Sequence, residues 1–227
     1  MVRSGIWHGF RSGIWHGPHG RVREVGRRSE MLSTGRRGGH EDGLMDEAHL
    51  PLAVQLGSAD HVMLRRHLAE DLEAIEAQCQ DPEMQRWTAI PVPYTREDAA
   101  WFLANVARRG DAGNVAAFAV EYRGRFAGSI DLRLQEAGWV EVAFGLAPWA
   151  RGAGIATAAV QLILSWGIEE LGLRGFHWRA QVGNHASRRV AERCGFRVEG
   201  TVRGLLVQRG ERADGWIGSL TPADRLP

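Results

Sequence analysis

The segment APWARGAGIAT, residues 147–157, combines residue types that can hold phosphate without a metal. Arg151-Gly152-Ala153-Gly154-Ile155-Ala156 follows an alternating apolar stretch, WVEVAFGL at 139–146, and opens at once into a long apolar-periodic run. Strand, small-residue loop and helix start, in that order, bring unpaired backbone N–H groups to the positive end of a helix dipole. Small side chains let a pyrophosphate approach the backbone closely. In the strand itself, Val140, Val142, Phe144 and Leu146 share one face, which puts Glu141 on the other with Ala143 and Gly145. A carboxylate among such small neighbours could take a proton from a substrate, although a solvated strand carboxylate fits the pattern equally well. Asp131 and Glu136 are weaker candidates for the same task.

The chain contains no lysine, which excludes a Walker A loop. A dinucleotide fingerprint fits Gly152 and Gly154 but fails at Thr157, and it would normally follow the first strand of a βαβ unit. What remains, Arg-x-x-Gly-x-Ala at Arg151, Gly154 and Ala156, resembles the acetyl-CoA loop of the GNAT N-acetyltransferases. Residues 184–196, NHASRRVAERCGF, resemble the Asn-x-x-Ser…Gly-Phe segment of the branch containing the RimJ and RimL ribosomal-protein acetyltransferases. MLRRHLAEDLEAIEAQCQDPEMQRW (63–87) and YTREDAAWFL (94–103) resemble that branch's first strand and first two helices. The resemblance covers about residues 62–220.

That resemblance implies direct transfer of acetyl from acetyl-CoA to a primary amine, without a covalent enzyme intermediate. A protein N-terminal α-amine is the expected acceptor, Glu141 the expected base, usually through water, and a homodimer the common assembly of the branch. It implies that the backbone at Phe144, Gly145, Leu146 and Ala147 binds the pantetheine amides. Arg151, Gly152, Ala153, Gly154, Ile155 and Ala156 would hold the pyrophosphate, with Arg151 either adding a side-chain contact or standing as a surface arginine. Asn184 would contact the pantetheine arm and Ser187 would lie near the thiol as a hydrogen-bond donor or acid; helix capping alone also accounts for both. Many relatives carry a tyrosine at the position of Ala191 as the thiolate acid. The tyrosines here are Tyr94 and Tyr122 only, so the acid is Ser187, water or nothing.

The elements that must position these residues follow from periodicity. Val62–Leu68 reads as a strand, and 69–80 as a helix with Leu72, Ile75 and Cys79 at helical spacing, stopped by Asp81-Pro82. Thr95 and Asp98 open a helix that carries Trp101, Phe102 and Val106 on one face and runs to Arg109. Residues 115–122 and 126–134, separated by Arg123-Gly124, read as a hairpin, and 139–146 as the next strand. Helix 153–170, strand 175–181, helix 184–194 and strands near 196–203 and 213–219 complete the domain. The fold class is α/β in the sense of an α+β mixed sheet, mostly antiparallel with helices on both faces.

Residues 1–61 differ in kind. RSGIWHG occurs at 3–9 and again at 11–17, and through residue 40 eight arginines stand against Glu24 and Glu30. With no sustained apolar periodicity the composition predicts a disordered extension, and residues 221–227 a short tail. Arg with interleaved Trp and Gly could serve as an RNA-binding arm, and an extension outside the folded domain, with Met31, Met45 and Met63 as other possible starts, is the favoured alternative.

Net charge is +1, which supplies no global drive toward nucleic acid. Cys79 and Cys194 have no metal or redox spacing, and the histidines, His177 and His185 included, have none for a metal, so no metal cofactor is expected. No apolar run nears the roughly 18 residues of a membrane span, no secretory leader is legible, and a cytoplasmic location follows. Two rival functions stay open. A small-molecule amine such as a polyamine or aminoglycoside would favour an acidic cleft, and Glu70, Asp71, Glu73 and Glu76 supply acid near the expected acceptor side. A CoA-binding module with little catalysis fits the absent tyrosine. Trp87, Tyr94, Trp101 and Trp139 are candidate walls of an acceptor cleft, with Trp101 preferred as core.

Overall fold

The computed structural model describes residues 55–59, 61–111, 113, 115–135 and 139–224. Eight strands form one sheet: β1 (Gln55–Ala59), β2 (Val62–Arg65), β3 (Val115–Tyr122), β4 (Arg125–Leu134), β5 (Val140–Leu146), β6 (Phe176–Gln181), β7 (Arg197–Gln208) and β8 (Glu211–Leu220). Their order across the sheet is β1-β2-β3-β4-β5-β6-β8-β7, and every neighbouring pair is antiparallel except β5–β6. The helices are α1 (Leu72–Gln80), α2 (Pro82–Trp87), α3 (Arg96–Asp111), α4 (Ile155–Glu169) and α5 (His185–Arg193).

Side-chain alternation sorts the sheet into two faces. Leu64, Phe118, Val120, Ile130, Leu132, Val140 and Val142 meet Ala159, Val160, Ile163 and Leu164 of α4 in the main core. Each large side chain removed from water there contributes about 1.5–3 kcal/mol. Against the other face, Ala119 and Phe126 join Ile75 and Cys79 of α1 and Ala99 of α3 in a smaller cluster. Strand β3 is buried through Val115–Val120 because helices cover both of its faces. On β4 the residues between the core positions are Ser129, Asp131 and Arg133, so that strand turns a polar row toward the α1/α3 side.

Several bounds differ from expectation for local reasons. β2 ends at Arg65 because Asp71 accepts from the N–H of Leu68 and draws the chain into a 3-10 turn over Ala69–Asp71 before α1. Asp81-Pro82 stops α1 and starts α2, with Asp81 as N-cap accepting from the Met84 N–H at 2.9 Å. α4 begins at Ile155, since Gly154 is left-handed at φ 79°. The final strands are longer than read, joined by Arg209-Gly210 with φ of 49° and 89°, the same positive-φ turn chemistry as Arg123-Gly124. β1 falls inside the stretch read as extension; residues 1–54 lie outside the described residues. Among the described residues no helix is long and apolar enough to cross a membrane.

Candidate active site

The β5–β6 ladder is short. It pairs Val140 with Phe176 and Glu141 with His177, and beyond them Val142–Leu146 and Trp178–Gln181 face each other without pairing. The Val140 N–H donates to Gly175 O at 3.1 Å, so alternation points the backbone groups of Val142 and Phe144 into the gap. A cavity of about 620 Å³ occupies this gap and the space under α1–α3. Its wall includes Glu141, Phe144, Gly145, Leu146, Arg151 and the first turn of α4.

From β5 the chain passes through a 3-10 turn, Pro148–Ala150, into the glycine loop. Gly152 and Gly154 both sit near φ 80°, and a Cβ on either would meet nothing within 4 Å, so backbone conformation rather than crowding selects glycine. Gly154 is the N-cap and supplies no side-chain acceptor. The first-turn N–H groups at Ile155, Ala156 and Thr157 therefore line the cavity without a cap, at the positive end of a 15-residue helix.

Within residues 144–147, expected at the pantetheine amides, and 151–156, expected at the pyrophosphate, the surroundings differ from residue to residue. Gly145 O accepts from Gln78 Nε2 at 3.0 Å. Ala147 donates its N–H to Ala127 O at 2.8 Å and accepts from Ala150 N, and neither Ala147 nor Ala153 is on the cavity wall. Arg151 folds back on the protein: its Nε and Nη2 donate to Leu146 O, and Nη2 meets Asp81 at 2.6 Å. Asp81 thus caps α2 and anchors the loop together. At the other end of α2, Gln208 Nε2 and Arg209 Nη1 donate to the carbonyls of Gln85 and Thr88. Helix α2 is a brace across the cavity, fastened to the glycine loop and to the β7–β8 hairpin.

The opposite wall is charged. Glu141 is buried and ion-paired through Oε2 with Arg179 Nη2; the two side chains are 8% and 14% exposed. Asp131 pairs with Arg133 at 2.7 Å. Burial pushes the Asp131 carboxyl above its usual range, which Arg133 opposes and the Glu141 charge reinforces. Arg109, from α3, is drawn below the ordinary guanidinium value by burial and then by the charge of Arg133. His177 stacks on Trp139 at 4.4 Å and is held neutral, first by burial, against the pull of Glu141. His67 Nε2 lies 3.0 Å from Ser129 Oγ, which lines the cavity. Glu136 lies outside the described residues.

Asn184 caps α5, its side chain accepting from the Ser187 N–H at 3.1 Å. Trp178 Nε1 donates to Ser187 Oγ at 3.0 Å. An indole can only donate, so the Ser187 hydroxyl hydrogen is left to point elsewhere, as a donor facing the cavity requires. Trp87 and Tyr94 line the cavity; Trp101 and Trp139 do not. Among the described residues no group of three His, Cys, Asp or Glu could hold a metal. Sequence reasoning missed Arg133, Arg179, Trp178, Gln78 and Asp81. A charged residue in mid-strand on an inward face was the available signal for the two arginines; Gln78 and Asp81 act on residues about 70 positions away, and Trp178, nine residues before Ser187, carries no motif.

Residues 61–197 match the family model described as "Acetyltransferase (GNAT) domain". The chain is 39% identical over 74 residues to "Putative ribosomal N-acetyltransferase YdaF" of Bacillus subtilis, an alignment spanning 33% of this chain and 40% of that relative's length. Mycobacterium smegmatis RimJ in complex with CoA-disulfide has the same fold, with TM-score 0.67 and 20% identity over 73% of this chain and 84% of that one. So does the Salmonella typhimurium acetyl transferase that modifies the N-terminal serine of ribosomal protein L7/L12, with TM-score 0.66 and 17% identity over 74% and 98% of the two chains.

Proposed function

The chain belongs to the GNAT acetyltransferase family, and from that premise we propose that it is an acetyl-CoA-dependent N-acetyltransferase acting in the cytoplasm on a protein N-terminal α-amine. The observation that carries this reading is the uncapped start of α4 opening onto the β5–β6 gap. First-turn N–H groups and the helix dipole suit a pyrophosphate, and the gap suits an extended pantetheine arm with its two amides. Arg189 and Arg193 of α5 line the same cavity and add positive charge for phosphate.

In the reaction, the amine lone pair attacks the thioester carbonyl carbon, the C–S bond breaks, and the amine proton leaves to a base. Glu141 is that base, directly or through one water. Arg179 holds its carboxylate in place, and one oxygen remains to accept. Ser187 donates a hydrogen bond to the departing sulfur, its acceptor side taken by Trp178. An α-amine, with pKa near 8, needs less help to lose its proton than a lysine near 10.4. The relative that modifies an N-terminal serine supports an α-amine acceptor, and the putative ribosomal N-acetyltransferase supports a protein acceptor.

Calorimetric titration of acetyl-CoA tests the reading, beside Ala156→Glu. Glutamate in a first turn suits the helix dipole, its charge enters the N–H cradle, and thermal unfolding of the variant checks that the fold tolerates it where Ala156 packs against the core. Binding near micromolar in the parent (about −8 kcal/mol) and at least about 30-fold weaker in the variant is expected. A folded parent that binds no acetyl-CoA overturns the reading. Transfer to a serine-started peptide and not to its Nα-blocked form is the matching result for the acceptor; transfer to lysine side chains alone removes the α-amine assignment.

A further inference from the structure

We propose that Arg189 and Arg193 hold the 3′-phosphate of coenzyme A, so that this chain discriminates CoA from its 3′-dephospho form. The inference rests on the acetyltransferase reading above and adds a second phosphate site to it, on α5 rather than α4.

Helix α5 shows the cavity one face. Ala186, Arg189, Val190 and Arg193, at helical spacing, line it together with Ser187 of the first turn. The two ends of that face have different neighbours. At the N-terminal end, Ser187 accepts from Trp178 of β6, beside the β5–β6 gap. At the C-terminal end, Cys194 Sγ donates to Thr157 O at 3.6 Å, which seats the end of α5 against the first turn of α4. A CoA with its pantetheine arm in the gap and its pyrophosphate on the first-turn N–H groups of α4 therefore runs along α5 from Ser187 toward Arg193. Beyond the pyrophosphate come the adenosine and its 3′-phosphate, and Arg189 and Arg193 stand exposed at that rim.

Charge calls for a second site. A helix start offers the equivalent of roughly half an elementary charge, which suits one pyrophosphate and leaves a further phosphate unmatched. A phosphate monoester carries about −1.5 to −2 at pH 7, more than either phosphoryl group of the pyrophosphate. The arginine of the glycine loop does not meet this need: Arg151 Nη2 pairs with Asp81 at 2.6 Å, and its Nε and Nη2 donate to Leu146 O. Arg188 of α5 is engaged as well, with Glu192 at 2.8 Å and over the ring of Trp216 at 4.9 Å. Glu192 is the only carboxylate of α5, and among the described residues Arg189 and Arg193 enter no ion pair. Two guanidiniums one helical turn apart, on long side chains, can share the three terminal oxygens of a monoester through charge-assisted hydrogen bonds.

Calorimetric titration of the full chain with CoA and with 3′-dephospho-CoA tests this, in the parent and in a double variant, Arg189→Gln with Arg193→Gln. In the parent CoA is expected to bind about 20-fold tighter than its dephospho form, the scale of one or two charge-assisted hydrogen bonds at an exposed rim. In the double variant that ratio falls toward one while dephospho-CoA keeps its parental affinity, which also shows that the variant is folded. Replacing both arginines by lysine restores much of the ratio. Thermal unfolding accompanies each titration, and the two single variants carry the test should the double one not fold. Equal affinities in the parent overturn the proposal, as does a ratio that survives the double variant. Equal weakening of both ligands in a folded variant overturns it too, because the arginines then serve the pyrophosphate. In each of these outcomes CoA still binds the parent and the acetyltransferase reading stands. A folded parent that binds neither ligand overturns that reading, and the proposal falls with it.

Discussion

Glu141 and Asp131 show how two carboxylates on one sheet face acquire different prospects as a base. Both line the cavity and both are ion-paired, Glu141 with Arg179 and Asp131 with Arg133. Burial lifts the Asp131 carboxyl, so it holds a proton more readily, whereas Glu141 lies on the strand that borders the gap. Position decides for Glu141, because a base must reach the proton it takes before its pKa matters. Glu141→Gln is expected to lower kcat by about 10²–10³-fold with acetyl-CoA binding retained. Removing the carboxylate also leaves Arg179 buried beside a neutral amide, at a cost of about 3–5 kcal/mol. Thermal unfolding is therefore measured in parallel, and Glu141→Asp keeps the charge as a second variant. Should Asp131→Asn abolish turnover and Glu141→Gln spare it, the base is Asp131.

At the scale of elements, α2 is the part that local sequence hides best. Six residues are too few for stability of their own, so the helix exists through its fastenings. Asp81→Ala removes the N-cap and the Arg151 pair together. It is expected to destabilise by about 1 kcal/mol and to speed hydrogen exchange at the Met84 amide while the sheet amides keep their protection. Unchanged exchange at Met84 would mean that Gln208 and Arg209 alone hold the brace. The legible elements were those with their own punctuation: α3 behind Thr95 and Asp98, the β3–β4 hairpin at Arg123-Gly124, and α4 behind the glycines. β1 was not legible, since five residues gain strand character only from pairing with β2. The full β7–β8 hairpin escaped because register shifts between Val198 and Gly200 and between Val202 and Leu206 break the alternation that marks a strand. The site divided likewise. Glu141, Gly154, Asn184 and Ser187 stood out by alternation or motif, but pairing Arg179 with Glu141 takes the meeting of two strands 38 residues apart, and Trp178 and Arg133 carry no motif that marks them.

Over the whole molecule, the polar inner face that forms the site also sets how the fold responds to acid. His67 is enclosed between Phe102, 5.3 Å away edge-to-face, and Ser129, and burial holds its pKa down at about 4 against an ordinary 6.5. A histidine kept neutral in the folded state takes up its proton first in the unfolded chain. Between pH 6.5 and about 4 the unfolded state then binds more protons, so stability falls as pH falls through that window. His177, lowered in the same direction by burial, adds to the loss. Asp131 works the other way, since its raised pKa gains protons in the folded state first. Asp71 sits below its usual range because Arg65 and the Leu68 N–H outweigh the effect of burial, and its contribution is lost only at more acid pH. Urea midpoints measured at pH 7, 5.5 and 4.5 are thus expected to decline steadily, and the decline to be shallower in His67→Gln, which keeps a polar contact for Ser129 without a titrating ring. A midpoint that is flat across this range in the parent and equally flat in His67→Gln would show that His67 is not held neutral. A decline equally steep in the variant would place its origin elsewhere, with His177 beside Glu141 as the next histidine to replace.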